Sequence, residues 1–190
     1  VAGIALYFYG RSQRKNEEPI NTAQVQDKIE KYNYALNSDV TPYYKEEFDK
    51  LKELAKNDDT TDEAVATQVA KLFVIDLFSI DYKINKYEIT STQYFYSDKQ
   101  DMHRQKVLDN LYNLVEDNAY ADRKQELPNV TNIEVSSTNK STYKMGNKEV
   151  DAYVVLLSIV YAKDLGYDSK SQVTLVKDGN NMSVVSYVAK

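Results

Sequence analysis

The chain has 190 residues, of which 42% are hydrophobic and 28% are charged. This length and composition suit one compact domain with an appendage and argue against two full domains. The net charge of −5, with Lys and Arg interspersed among Asp and Glu, argues against nucleic acid as a partner, because phosphate-binding surfaces carry a basic stripe. The chain has no Cys, which excludes disulfide bonds and thiolate metal sites.

The chain starts with a run of apolar and aromatic residues, Val1 to Tyr9, and a polar stretch with Pro19 follows. The run is far shorter than the ~20 residues that span a bilayer. We expect it to be the end of a transmembrane helix or signal anchor, so that residues 1–21 form a truncated membrane anchor and stalk. The alternative is a short N-terminal strand or core helix. Three basic residues follow the apolar run: Arg11, Arg14 and Lys15. Because positively charged flanks favour the cytoplasmic side of a membrane, the orientation of the domain stays open.

Residues 22–59 are predicted to form a helical hairpin. Apolar residues that recur every three or four positions indicate its first helix: Val25, Ile29, Tyr32 and Leu36. The second helix is predicted to begin at Thr41 and Pro42, an N-cap followed by proline at the first helical position.

A longer and more apolar helix is predicted next. The pattern Thr60-x-x-Glu63 matches a capping box, and the wide apolar face from Val65 to Ile80 is typical of a central core helix. Asp76 lies within that face and has two interpretations. It is either a general base in a pocket or a boundary residue that pairs with a nearby Lys or caps a loop. We favour the second, because buried acids need partners.

Ser97-x-x-Gln100 resembles another capping box, and the helix that it opens is expected to end near Asp117. His103 is the only histidine of the chain, and its polar neighbours, such as Arg104, predict that it faces solvent. Histidine-based metal sites and Cys–His or Ser–His–Asp nucleophiles therefore lose their candidates, which leaves a carboxylate site or a Ser–Lys pair. We expect no catalytic residue, metal or cofactor.

Beyond Pro128 the hydrophobic pattern alternates, which predicts an antiparallel sheet of three to four strands. A weakly apolar strand to Tyr143 is expected to be exposed on one face, whereas the nearly continuous apolar run Tyr153–Val160 predicts a central strand covered on both faces. Asp178 and Gly179 predict the last hairpin. The fold class is therefore α+β, with N-terminal helices packed on a C-terminal sheet.

The run from Tyr94 to Asp98 (Tyr-Phe-Tyr-Ser-Asp) leads into a helix with Leu108 and Tyr112, and Val173 to Asn180 close with Leu-Val-Lys-Asp-Gly-Asn. Over about residues 60–190 this pattern is similar to membrane-anchored, extracytoplasmic domains of the cystatin-like or nuclear-transport-factor-like superfold in Gram-positive bacteria. These include the bitopic scaffold subunit of type IV secretion and conjugation channels. The resemblance implies a cone in which helices pack on a curved sheet.

The resemblance also implies a function. We expect a noncatalytic, single-pass protein of the cell membrane whose domain lies outside the cytoplasm and binds protein partners in the cell envelope, with a homo-oligomer left open. The alternative is a small-ligand-binding or enzymatic domain of the same superfold, with a pocket between helix and sheet. Its ligand-binding residues would be Asp76, Tyr94, Tyr96 and Tyr112. A third hypothesis is an immunity or inhibitor-like exported protein that blocks one partner.

Overall fold

A computed structural model describes residues 23–189 of the chain. The predicted anchor and stalk, residues 1–21, lie outside the described residues. Strands β1 and β2 span Val25–Ile29 and Tyr34–Asn37. Helices α1, α2 and α3 span Pro42–Lys56, Asp62–Phe78 and Gln100–Asn110. Short 3-10 turns between α2 and α3 span Ile80–Tyr82, Thr90–Tyr94 and Ser97–Lys99. Strands β3 to β6 span Val130–Met145, Lys148–Tyr161, Lys170–Asp178 and Asn181–Ala189.

The four C-terminal strands form an antiparallel meander in the order β3-β4-β5-β6, so the predicted α+β class with an antiparallel sheet is confirmed. The β3–β4 turn and the β5–β6 turn each contain a glycine in the left-handed region, with φ of 60° at Gly146 and 63° at Gly179. Apolar residues of β1, β2, α1, α2 and one face of the sheet join in a single core cluster.

The helical hairpin predicted for residues 22–59 is wrong in its first half, which is the β-hairpin of β1 and β2. Asn33, with φ of 55°, lies in the turn between the strands. Alternate residues from Tyr32 to Leu36 are buried, so the same apolar side chains also fit the period of a strand. The side-chain amide of Gln93 bonds both the N–H and the C=O of Ala35, at 2.8 and 3.1 Å. This distant partner satisfies the open edge of β2, which local sequence does not reveal.

Helices α1 and α2 form where the sequence predicts them. Thr41 caps α1, since its Oγ1 accepts a hydrogen bond from the backbone N–H three residues later at 2.9 Å, and Pro42 occupies the first helical position. Helix α2 begins one residue later than predicted, because Thr61 and not Thr60 is its N-cap. As predicted, α2 is the central core helix, and its residues are buried almost without interruption from Val65 to its end.

Helix α3 ends at Asn110, before the predicted end near Asp117. The loop that follows exposes Leu114, which is 78% accessible to solvent. Arg123 connects this loop to the turn after α2 through hydrogen bonds from its guanidinium to three backbone carbonyls. The acceptors are the carbonyl oxygens of Asp81 at 2.5 Å, Lys83 at 2.9 Å and Glu116 at 3.2 Å.

The prediction that β4 is covered on both faces is wrong. One set of alternate residues is buried in the core on the side of α2: Val155, Leu157 and Ile159. The residues between them belong to the opposite face and keep part of their surface accessible: Val154, Leu156 and Val160. The helices therefore cover a single face of the sheet.

Candidate functional site

Asp76, the first of the predicted ligand-binding residues, lies on α2 and is only 2% exposed. Its Oδ1 accepts hydrogen bonds from the ammonium of Lys83 at 2.6 Å and from the hydroxyl of Thr90 at 2.5 Å. The side chain of Lys83 is buried as well. The predicted pairing of Asp76 with a nearby Lys is therefore present, but it lies in the interior and not at a boundary. The space beside this pair leaves no room for a water molecule.

Tyr94 also lies in the interior. Its hydroxyl oxygen lies 2.5 Å from that of Tyr44, and both rings are fully buried. Burial raises the pKa of both hydroxyls well above the usual range. Both side chains are therefore neutral at physiological pH. The pair forms a polar contact between α1 and the 3-10 turn Thr90–Tyr94.

The other two predicted ligand-binding residues lie apart from each other. The fully buried Tyr112 donates a hydrogen bond from its hydroxyl to the carbonyl of Leu77 at 3.0 Å. Tyr96 is half-buried and packs on a small apolar cluster that includes Val176, on the other side of the sheet. The structure therefore brings Asp76, Tyr94 and Tyr112 near α2 in a packed interior and leaves Tyr96 outside this group. A ligand-binding role for the four residues stays a prediction.

A pair of carboxyl groups lies near this interior network. Both carboxylate oxygens of Asp39 are buried, and neither meets an N–H or hydroxyl donor among the described residues. Glu88 contacts Asp39 with its own carboxyl group and accepts a hydrogen bond from the N–H of Ile84 at 2.7 Å. Burial, together with Asp39, raises the pKa of Glu88 to about 7. The carboxyl group of Glu88 therefore keeps its proton to a higher pH than an ordinary glutamate does.

The prediction that His103 faces solvent is wrong, because its side chain is only 7% exposed. The imidazole stacks on Phe95, with ring centroids 4.3 Å apart, and its Nε2 lies 3.3 Å from Oγ of Ser91. Burial lowers the pKa of His103 to about 4, so the ring is neutral at physiological pH. Polar neighbours along the helix concealed this contact, because the covering ring comes from the segment before α3.

A cleft of about 450 Å³ opens between α3 and the C-terminal half of β6, and we call it the α3–β6 cleft. Apolar side chains form most of its wall: Leu77, Phe78, Phe95, Val107, Leu111 and Val185. The polar residues His103 and Tyr187 and the charged residues Lys106 and Asp168 also line it. None of the four predicted ligand-binding residues lines this cleft. Val107 and Leu111, apolar residues one helical turn apart, are the sequence signal for it.

The sheet face that turns away from the helices carries a second feature, which we call the outer sheet face. It consists of two neighbouring cross-strand rows, Asn139–Val154–Thr174–Ser186 and Ser137–Leu156–Gln172–Val188. Neither row has a charged residue, although 28% of the chain is charged. Val188 is 45% exposed, and Val160, beyond the rows on β4, is 42% exposed. The neighbouring row on the side of Val160 has charges at both ends, from Glu134 and Lys170. The neighbouring row on the other side is uncharged and consists of Ser141, Ala152, Val176 and Ser183.

Within residues 23–189, no three or more His, Asp or Glu side chains are grouped so that they could hold a metal ion. No helix in this described part combines the length and the apolar character needed to cross a membrane. Comparison of the chain with protein-family models, with curated proteins and with solved structures finds no match.

Proposed function

We propose that the chain is a noncatalytic domain that assembles with other proteins of the cell envelope through its outer sheet face. Its N-terminal segment tethers it to the membrane, and the domain acts outside the cytoplasm, within a secretion or conjugation channel. The apolar run at the N-terminus is the basis for the tether.

The observation that carries the proposal is the composition of the outer sheet face. The centres of protein–protein interfaces are depleted of charged residues, whereas the rest of a protein surface is rich in them. The two uncharged rows, with partly exposed Val154, Leu156 and Val188, match this pattern. Glu134 and Lys170 at the margin match the polar rim that surrounds such a centre.

The interior contacts favour a function in protein binding over a function in catalysis. Oδ1 of Asp76 accepts hydrogen bonds from Lys83 and Thr90, and Oδ2 of Asp76 is buried away from solvent. The hydroxyl of Tyr94 pairs with that of Tyr44 in the interior, so none of these groups is open to a substrate. A catalytic acid or base must instead reach a substrate atom within hydrogen-bond distance.

The cystatin-like or nuclear-transport-factor-like cone is part of the same proposal. Strand β3 has irregular register with β4 at two points, and β5 with β6 at one. Irregularities of this kind bend strands and increase their twist. They support a sheet that curves around α2.

Site-specific photo-crosslinking in cells that express the full-length protein tests the proposal. A benzophenone amino acid at Val160 or Val188 is expected to form adducts with an envelope protein that mass spectrometry identifies. The matched control is Glu53, whose exposed side chain lies on α1, away from the sheet. Adducts only with a second copy of the chain, or equal adducts from Glu53, would contradict assembly with envelope partners through the outer sheet face.

A second variant links the adducts to the rows themselves. Leu156→Lys places a charge at the centre of the outer sheet face without touching the core face of β4. Desolvation of this charge opposes docking. We expect the adduct from Val188 to disappear while the far-ultraviolet circular dichroism spectrum stays unchanged.

A further inference from the structure

We infer that the α3–β6 cleft binds a small neutral molecule that has an apolar ring or chain and one hydrogen-bonding group. This inference does not depend on the proposed assembly function, because the cleft and the outer sheet face share only Ser186, and the inference uses none of the contacts of Ser186. It is carried by the size of the cleft, by its apolar wall and by two polar groups that have unused hydrogen-bonding capacity.

The size and wall of the cleft suit a small organic ligand. Its volume of about 450 Å³ falls in the range of roughly 300–1,000 Å³ that is typical of small-molecule sites. Apolar and aromatic side chains from α2, α3 and β6 converge on it. An apolar ligand that fills the cleft would remove this wall from water, which is favourable.

Tyr187 is the first polar group without a full set of partners. Its ring packs edge-on against Phe73, with centroids 5.6 Å apart. Its hydroxyl oxygen is buried and has no hydrogen-bond partner among the described residues. A buried hydroxyl without a partner is unfavourable. The inferred contact requires the Tyr187 side chain to turn its covered hydroxyl toward the ligand, which would then supply the missing partner.

His103 is the second such group. Nε2 lies near Ser91, whereas Nδ1 has no hydrogen-bond partner among residues 23–189. The imidazole is neutral because burial lowers its pKa, and the Tyr187 hydroxyl is neutral because burial raises its pKa. Both residues line the cleft, so its wall contains a neutral imidazole and a neutral hydroxyl group.

These two uncharged groups favour a neutral ligand. A charged group placed against Tyr187 and His103 would lose its hydration without gaining a counter-charge. The ionic side chains that line the cleft are exposed and opposite in sign, Lys106 on α3 and Asp168 on the loop between β4 and β5. Together they provide no net charge that would favour an ionic ligand.

Titration of the full chain with 2-naphthol, followed by amide chemical shifts, tests the inference. We expect saturable shifts that concentrate on α3 and on the C-terminal half of β6. The control ligand is 2-naphthoate, which has the same rings and a carboxylate, and we expect about tenfold weaker binding from the desolvation of its charge. Failure of 2-naphthol to bind, shifts centred elsewhere, or binding of 2-naphthoate with equal or greater affinity would overturn the inference.

Tyr187→Phe tests the hydrogen bond directly. The variant keeps the ring and removes a hydroxyl that has no protein partner, so the fold is expected to persist. We expect the affinity for 2-naphthol to fall about tenfold. Tyr143→Phe is the matched control, because Tyr143 lies near the opposite end of the sheet, and its affinity should not change. Equal affinity of Tyr187→Phe and the wild type would overturn the role of Tyr187.

A variant that fills the cleft gives an independent readout. Leu111 is half-buried in the cleft wall, so Leu111→Trp places a larger side chain in the space that the ligand needs. We expect saturable shifts with 2-naphthol to disappear while the circular dichroism spectrum stays that of the wild type. Unchanged binding by this folded variant would overturn the location of the site.

Discussion

The buried ion pair of Asp76 and Lys83 shows how one residue depends on another in the interior. Both side chains are almost completely inaccessible to solvent. Removing two charges from water is unfavourable, and only close geometry with further hydrogen bonds offsets it. Thr90 supplies such a bond, since its hydroxyl donates to the same carboxylate oxygen that binds Lys83. Replacing either partner alone is therefore expected to destabilise the protein, because the other charge would stay buried.

Lys83→Met is expected to destabilise the protein by about 3–5 kcal/mol, because it leaves the carboxylate of Asp76 buried without a counter-charge. The double variant Asp76→Leu/Lys83→Met should recover most of that loss, since it removes both charges. Urea unfolding measures both effects. Lys45→Met is the control, because it breaks an exposed ion pair with Asp49 and should change stability little. A double variant as unstable as Lys83→Met would contradict the prediction.

A second prediction at the residue scale concerns Glu88 and the dependence of stability on pH. Its pKa is raised from 4.5 to about 7 in the folded protein. A folded state that binds its proton more tightly loses stability as the pH rises through this interval. Glu88→Gln keeps a neutral donor for Asp39 at every pH. We expect the variant to be more stable than the wild type above about pH 7, by about 1–2 kcal/mol once solvent screening of this half-buried site is allowed for.

Urea unfolding at about pH 8 and about pH 4 measures this difference. The advantage of Glu88→Gln should vanish at the lower pH, where the wild-type carboxyl is protonated in both the folded and the unfolded chain. An equal advantage at both pH values would show that the proton on Glu88 is not the cause.

At the scale of elements, two similar capping patterns in the sequence have different outcomes in the structure. Thr41 makes the predicted capping bond at the start of α1. Ser97, which a similar pattern predicts as a cap, starts a 3-10 turn instead, and α3 begins without a side-chain cap. Local sequence thus identifies a place where a helix can start, whereas the packing of the preceding chain decides the geometry there.

Thr41→Ala is expected to lower the free energy of unfolding by about 1 kcal/mol, because one backbone N–H of α1 loses its partner. Ser97→Ala should have a much smaller effect, because its hydroxyl makes no capping bond. Thermal unfolding of the two variants beside the wild type measures the difference. Equal destabilisation by both substitutions would argue against the cap assignments.

At the scale of the whole molecule, one core joins parts that are distant in sequence. The core cluster contains Ile29 and Leu36 from the hairpin, Phe48 from α1, Phe73 from α2 and Val173 from the sheet. The hydroxyl of Tyr34 also donates to the carbonyl of Met182 at 2.9 Å, which ties the hairpin to β6. Because these parts share buried surface, none of them can unfold without exposing the others.

We therefore expect residues 23–189 to unfold in one cooperative transition. The chain has 17 Tyr and no Trp, so tyrosine fluorescence reports on the aromatic core, and far-ultraviolet circular dichroism reports on the helices and strands. The two urea transitions should coincide. A separate early transition in either signal would indicate that the hairpin or the sheet unfolds on its own.

Several features of the fold and the site are determined by the sequence alone. The alternating pattern and the glycine turns predict the C-terminal meander, and the caps and apolar periodicity predict α1 and α2. Of the interpretations that the sequence leaves for Asp76, the favoured one includes pairing with a nearby lysine, and the lysine that binds it, Lys83, lies seven residues away. These features rest on interactions between residues that are close along the chain, so a local pattern contains the information.

Only the tertiary structure decided the remainder. The apolar residues of β1 and β2 fit both a helix and a strand, and the contacts of Gln93 and Met182 select the strand. The ring of Phe95 buries His103, and the meeting of α3 with β6 creates the cleft. The outer sheet face exists because the helices pack on the other side. Each outcome depends on surfaces far apart in sequence, whose burial and hydrogen bonding outweigh local preference.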